Sequence, residues 1–401
     1  MQTVKIFFRQ IHAFRNFSFR NNPFPRNKRN LFLATPAVLI TPFSMSENEN
    51  TGEIRNKAHH AKGGFENPWP SFQKISPIEF LKGFREFNLT RNLPAAEDKV
   101  KIVDINHELL NKPTPGKVQA TWLGHACFLV QIDGVNILYD PVFSDRCSPS
   151  QHIGPKRYTP PPCKLSELPP IDLVIISHNH YDHLDVSTIE ELGNRPRYFV
   201  PLGNKRWFES MHINNVEELD WWEERKVQLD YNRQIVVTCT PCQHFTGRGI
   251  FDRNKTLWAS WCVYSPKTSG KIYFAGDTGY RSVPRGYDEE KIDELPHCPV
   301  FKEIGSKKGP FDLAMIPIGA YNPRHLLSPV HCSPEDSVLL HEDIKSKRSL
   351  AMHWGTWLLG GESATEPPVR LRLALEKRGH SLNEFSTCNL GETVAVDIGS
   401  D

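Results

Sequence analysis

Ile171-Asp172-Leu173-Val174-Ile175-Ile176-Ser177-His178-Asn179-His180-Tyr181-Asp182-His183 is the stretch on which the fold turns. The apolar run to Ile176 reads as a buried strand. Four potential metal ligands, His178, His180, Asp182 and His183, follow it within six residues. Imidazoles and a carboxylate at a strand end make a poor core, but they suit a borderline divalent ion. Four ligands on one loop can serve two ions at once. The blander reading, an exposed His-rich loop, conflicts with the agreement of spacing, strand context and carboxylate.

Further along, more strands end in a ligand type. Ile235 to Thr240 reads as a strand ending near His244, Lys271 to Ala275 as one ending at Gly276-Asp277, and Ser349 to Met352 as one ending at His353. Such ends share one edge of a sheet, so residues far apart in sequence can converge. Alone, His353 reads as a capped polar residue and Asp277 as a turn residue bonding its own backbone. Beside the 178–183 cluster they gain weight. His178, His180, His244 and Asp277 would hold one ion; Asp182, His183, Asp277 and His353 would hold the other, with Asp277 bridging. Ions about 3.5–4 Å apart would share a bridging hydroxide that is nucleophilic at neutral pH. Asp182 is a catalytic candidate as well as a ligand.

Before the cluster, Val118 to Leu123 and Cys127 to Ile132 read as strands around a Gly124-His125 turn. Asp133-Gly134 then predicts a hairpin into Val135 to Tyr139. Further strands are expected at Arg197 to Val200, Trp258 to Tyr264 and Leu313 to Pro317, the last ending near Tyr321. Helices are expected over Val186 to Leu192, Asn204 to Met211, Pro334 to Ile344 and Val369 to Arg378, and in part over 76–112. Two successive β-rich halves with interspersed helices point to an α/β fold, a four-layer αββα sandwich.

The 401 residues suffice for one large core, and 39% hydrophobic with 23% charged residues is ordinary for a globular chain. A net charge of +2 gives no reason to expect nucleic acid as a partner. Nine sparsely spaced Cys argue against a disulfide scaffold and fit a reducing, intracellular compartment. Cys239-Thr240-Pro241-Cys242 lacks a second Cys pair to complete a zinc site and reads as two small strand-end residues. No continuous apolar run is long enough to span a bilayer.

Residues 1–46 contain no acid but carry seven Lys and Arg among many Phe, the composition of a mitochondrial targeting segment; a disordered basic tail and a lipid-touching arm are the other readings. Residues 47–64 are polar and mixed in charge, like a linker, which leaves 65–401 for the folded domain. Phe80, Leu81, Phe84 and Phe87 would give a helix near 75–89 an apolar face for a membrane surface or for the domain itself.

His178-x-His180-x-Asp182-His183 after a hydrophobic strand, with Thr121 to His125, Asp140-Pro141 and Gly276-Asp277-Thr278-Gly279, resembles the metallo-β-lactamase superfamily. Asn67-Pro68-Trp69-Pro70, Ser148 to Gln151, Gly154 to Arg157, Leu219 to Glu224, Gly309 to Leu313 and His353 to Thr356 narrow the resemblance, over about 66–385, to the N-acyl-phosphatidylethanolamine-hydrolysing phospholipase D family. That resemblance implies cleavage of N-acylphosphatidylethanolamine to an N-acylethanolamine and phosphatidic acid. It implies two Zn2+ on residues matching His178, His180, Asp182, His183, His244, Asp277 and His353. It also implies a peripheral membrane enzyme able to form homodimers.

His331 matches a family histidine placed for phosphate contact or proton transfer, and Tyr181 and Tyr321 join it as substrate-binding candidates. Val330 stands where the family has Gln, and 281–298 reads as an insertion. Trp207, Trp221, Trp222 and Trp357 read first as packing residues and second as groove lining. The rival functions are a two-metal hydrolase of a soluble phosphodiester, nucleic acid or lactone, and a scaffold with a decayed site. The full set of ligand types opposes decay.

Overall fold

The computed structural model describes residues 57–76, 79, 94–95 and 99–399. The basic segment 1–46 and nearly all of the expected helix at 75–89 lie outside the described residues. A short hairpin, β1 (His60–Ala61) and β2 (Gly64–Phe65), precedes α1 (His107–Asn111). Next come β3 (Lys117–Gly124), β4 (Cys127–Ile132), β5 (Val135–Tyr139), β6 (Leu173–Ile175), α2 (Val186–Leu192), β7 (Arg197–Pro201), α3 (Lys205–Ser210) and β8 (Val216–Leu219). The second half runs β9 (Glu224–Gln228), β10 (Gln234–Thr240), β11 (Ser260–Tyr264), β12 (Lys271–Phe274), α4 (Val300–Lys307), β13 (Leu313–Pro317), α5 (Arg324–Leu327), α6 (Pro334–Asp343), β14 (Ser349–Met352), α7 (Glu366–Arg378), β15 (Phe385–Ser386) and β16 (Thr393–Asp397).

Two mixed seven-stranded sheets result, ordered β16-β3-β4-β5-β6-β7-β8 and β15-β14-β13-β12-β11-β10-β9. Side-chain alternation sets the layers. On the first sheet, Val118, Ala120, Trp122, Phe128, Val130, Ile137, Tyr139 and Ile175 pack in one core with Ile235, Val237, Trp261, Val263 and Phe274 of the second. The opposite face of the first sheet, through Leu129, Leu138, Val174, Tyr198 and Val200, packs on Ile189 and Leu192 of α2 and Phe208 of α3. Val300, Phe301 and Ile304 of α4, Val338 of α6, and Leu371 and Leu375 of α7 join the core on the far side of the second sheet. The architecture is the expected four-layer αββα sandwich.

Local chemistry explains the elements. Asp133 and Gly134 take φ of 50° and 79°, and Ile132 pairs directly with Val135, the two-residue turn that Asp-Gly favours. The N-terminus of α6 is capped by the Ser333 side chain, which accepts from the Asp336 N–H, with Pro334 in the first turn. The end of α7 is closed by Gly379 in the left-handed region, φ 77°.

Two expectations change. Residues 57–64, read as linker, instead form the β1–β2 hairpin: Lys57, His59 and His60 converge on the buried Asp220 carboxylate at 2.9, 2.7 and 2.8 Å. His59 also stacks on Trp221, ring centroids 4.2 Å apart. Polar composition misleads here because those polar side chains satisfy one buried acid. The 281–298 segment is anchored as well as superficial: Arg281 is 2% exposed and pairs with the equally buried Asp336 at 3.1 Å.

Candidate metal centre

Parallel strand direction builds the site. β3, β5 and β6 of one sheet and β10, β12 and β14 of the other end on a common edge. Past those ends lie, in turn, His125, Asp140, His178 to His183, His244, Asp277 and His353. His125, Asp140 and His353 hold φ of 53°, 37° and 63°, a region that non-glycine residues enter at a cost. That conformation turns each side chain off its strand toward the shared edge. A Cβ on Gly319 would collide with the His353 carbonyl, so only glycine allows this approach.

The donor atoms converge. Asp277 Oδ2 lies 3.2 Å from His183 Nε2, 3.7 Å from His244 Nε2 and 3.9 Å from His178 Nε2, while its Oδ1 lies 3.0 Å from His353 Nε2. Asp182 Oδ2 lies 3.4 Å from His183 Nε2 and 3.5 Å from His353 Nε2. Ligands about 2.1 Å from a tetrahedral ion sit about 3.4 Å from one another. His183 Nε2, His353 Nε2 and Asp277 Oδ1 are buried with no hydrogen-bond partner. Atoms this close that do not bond each other are aimed at a common third centre. The residues fall into two ligand groups, His178 with His180 and His244, and Asp182 with His183, His353 and His125. Asp277 stands against both groups, with Oδ2 near His178, His244 and His183 and Oδ1 near His353. This donor set fits divalent metal.

Electrostatics agree with the fit. Burial pushes His178 and His244 well below the ordinary imidazole value and His180 down to about 4, so their nitrogens are neutral donors at pH 7. For His353 and His183 burial also opposes charge, but Asp277 and Asp182 outweigh it, raising His353 to about 9 and His183 well above its usual value. Asp182 and Asp277 stay ionised: burial works against them, yet His183 and the neighbouring imidazoles hold both far below the carboxylate range. A buried carboxylate, Asp277, and a half-buried one, Asp182, on one edge call for cationic charge.

A pH dependence follows for the metal-stripped protein. His353 has a folded pKa of about 9 against an unfolded value of about 6.5. Its stabilising contribution is full below pH about 6.5 and is lost as pH rises through about 9. A metal ion must displace that proton, so affinity is expected to rise across the same window. Competition titration against a metal indicator between pH about 6 and 9 checks this; an affinity flat over the window would contradict it.

Surrounding residues orient the ligands. His183 Nδ1 meets Asp140 Oδ2 at 2.7 Å, and Asp140 accepts from the Ser177 N–H at 2.7 Å and the Ser177 hydroxyl at 2.5 Å. Asp140→Ala is expected to weaken metal binding about 10–100-fold by freeing the His183 ring, measured as metal content after dialysis. His244 Nδ1 donates to the Val330 carbonyl at 2.8 Å. Position 330 thus serves the site through its backbone, and the Val side chain leaves that bond intact.

The substrate candidates separate. His331 stands at the site: its ring centroid is 5.2 Å from those of His244 and His353, and its buried Nδ1 has no hydrogen-bond partner. Tyr181 lies on the metal loop and donates its hydroxyl to the Arg248 carbonyl at 2.9 Å. Tyr321 is a correction: it is fully buried, its hydroxyl donates to Glu366 at 2.7 Å, and Arg370 lies 4.8 Å over its ring. It braces the fold and presents nothing to a substrate. Trp221 is likewise used in packing, donating to the Trp258 carbonyl, whereas Trp357 sets its ring edge-on to His125 at 4.9 Å. Cys239 and Cys242 are buried free thiols.

His125 is the site residue that the ligand pattern missed. Its Nε2 lies 2.9 Å from Asp182 Oδ2 and its ring 4.0 Å from that of His353. The signal was the Gly124-His125 turn at the end of a strand, the same placement that marked His353.

A model of the beta-lactamase superfamily domain matches residues 135–354. The fold with its strand-edge cage of His and Asp is that of a metal-dependent hydrolase. An isothiocyanate hydrolase from Delia radicum gut bacteria shares the fold, with a TM-score of 0.51 and 16% identity over 70% of this chain and 99% of its own. N-acyl-phosphatidylethanolamine-hydrolyzing phospholipase D 1 of Caenorhabditis elegans is 39% identical over 283 residues, 68% of this chain and 74% of that protein. The mitochondrial N-acyl-phosphatidylethanolamine-hydrolyzing phospholipase D of Saccharomyces cerevisiae is 34% identical over 291 residues, 72% of this chain and 58% of that protein. The chain belongs to the N-acyl-phosphatidylethanolamine-hydrolyzing phospholipase D family of the beta-lactamase superfamily.

Proposed function

We propose that the protein is a phospholipase D-type phosphodiesterase that cleaves N-acylphosphatidylethanolamine to N-acylethanolamine and phosphatidic acid, with two Zn2+ as cofactors. The observation that carries this reading is the convergence of His178, His180, Asp182, His183, His244, Asp277 and His353 on one buried centre, in a chain 39% identical to a relative of that name. Bound there, the ions supply Lewis-acid charge for a phosphoryl oxygen and lower the pKa of water. Asp277 and Asp182 fix the positions of that charge, and Asp140 fixes His183.

His331 is assigned to phosphate orientation. Burial lowers its pKa to about 4, so it meets the substrate as a neutral imidazole with one N–H to donate. His331→Gln is expected to lower kcat about 10²-fold with metal content unchanged; loss of metal in parallel would make it a ligand instead.

The full reading is tested by elemental analysis of the purified full chain and mass spectrometry of products from a mixed lipid extract. N-acylethanolamine and phosphatidic acid are expected. Intact lipids together with turnover of a soluble phosphodiester or lactone would favour the rival hydrolase. We also place the protein in mitochondria, on the acid-free basic composition of 1–46 and the mitochondrial designation of the yeast relative. A reporter carrying residues 1–46 should co-localise with mitochondria, and diffuse signal would remove this placement.

A further inference from the structure

We propose that the loop tip Ile250-Phe251 inserts into a phospholipid surface beside the metal centre. Among the described residues no helix is long and apolar enough to cross a membrane, so a lipid enzyme on this fold needs another means of reaching its substrate. Ile250 is 64% exposed and Phe251 85% exposed, and among the described residues no other two consecutive large apolar side chains are both exposed. An isolated exposed apolar residue needs no explanation, whereas a bare pair at the tip of a well-tied loop does.

The loop is held firmly. The Asp252 carboxylate accepts from the Arg248 N–H at 2.9 Å and the Gly249 N–H at 2.7 Å, and Asn254 N–H donates to the Thr246 carbonyl at 2.9 Å. The tip is therefore presented by its own hydrogen bonds. Those bonds also absorb Asp252, the only acid in the stretch, so the exposed charge around the tip is that of Arg253 and Lys255. Apolar insertion flanked by cations is the arrangement that anionic lipid attracts.

The same loop is tied to the chemistry. The Arg248 guanidinium donates to the Asn179 carbonyl at 2.9 Å and the Leu184 carbonyl at 2.8 Å, one on each side of the ligands His180, Asp182 and His183. It lies 4.0 Å over the Tyr181 ring. Phe245, next to the ligand His244, packs against His180 at 4.5 Å and carries the Arg253 guanidinium over its ring at 4.3 Å. Tip, Tyr181, Phe245 and ligand loop thus form one continuous rim. A lipid drawn from the surface would pass over aromatic rings to reach the metals without crossing open water.

The inference rests on the lipid-substrate reading for its purpose, but vesicle binding tests it apart from turnover, so the two can fail separately. The full chain carrying Ile250→Ser with Phe251→Ser is compared with the unaltered protein by flotation with phosphatidylcholine vesicles, with and without phosphatidylserine. Partition is expected to fall at least about tenfold, most on the anionic vesicles, while turnover of a short-chain monomeric substrate stays within about twofold. A second variant, Phe251→Trp, should show emission quenched by bromine-labelled phosphatidylcholine beyond the quenching of the native tryptophans. Vesicle partition unchanged in the Ser variant, or no added quenching in the Trp variant, would overturn the proposal. So would parallel loss of monomeric turnover, which would make the loop part of the catalytic site. A protein crosslinked through position 251 with vesicle binding unaffected would replace the lipid with a protein partner.

Discussion

Asp277→Asn is expected to reduce hydrolysis by at least about 10³-fold, with one or both metal ions lost from the purified protein. The size of the effect follows from geometry. Asp277 sets Oδ2 against His178, His183 and His244 and Oδ1 against His353, so both oxygens are committed. Asn keeps the shape but replaces one oxygen with an amide N–H2, which turns donors toward a cation, and it removes a buried negative charge. The fold should survive: the residue sits on a turn at a strand end, and the core lies between the sheets. Far-ultraviolet circular dichroism would therefore match the unaltered protein while elemental analysis and turnover would not. His183→Ala should behave alike, with an added penalty from leaving Asp140 buried beside a missing partner. Full activity in either variant would remove the two-metal assignment.

Stripping the metals by chelation is expected to erase turnover, and re-addition of Zn2+ to restore it. Stability should fall too. Asp182 and Asp277 are held ionised beside each other in a buried site, and without cations their charge is balanced only by the protonated His183 and His353. Metal bound at a free concentration about 1,000 times its dissociation constant stabilises by about 4 kcal/mol, which for a domain of this size moves Tm by about 6 °C. Scanning calorimetry before and after chelation reads this. A Tm that does not respond to chelation, with activity intact, would show that the cage holds no ion that matters.

Much of this organisation was legible in the sequence wherever a local rule coincided with the global one. Asp133-Gly134 encodes its turn through two residues that tolerate positive φ, and the flanking alternation then fixes the register of β4 on β5. His178 to His183 was legible because ligand types cannot be crowded at a strand end without purpose. What stayed hidden depended on partners distant in sequence. Nothing in Lys57 to His60 announces Asp220, and nothing in Tyr321 announces Glu366; each bond joins segments that meet only in the folded chain. β8, β9 and β16 were missed because short strands with charged, half-exposed faces carry a weak periodic signal. His125 escaped because one histidine on a turn is chemically uninformative until Asp182 is set against it.

The pairing of β16 with β3 carries a further consequence. Thr393 to Asp397 pair with Thr121 back to Lys117, so one sheet edge is closed by residues 272 positions apart in sequence. Until β16 arrives, β3 shows an unpaired backbone. A contact of such long range closes slowly, so this edge is expected to be among the late parts of the sheet to form. During that interval the exposed side of β3 is the place where a second chain could pair in error.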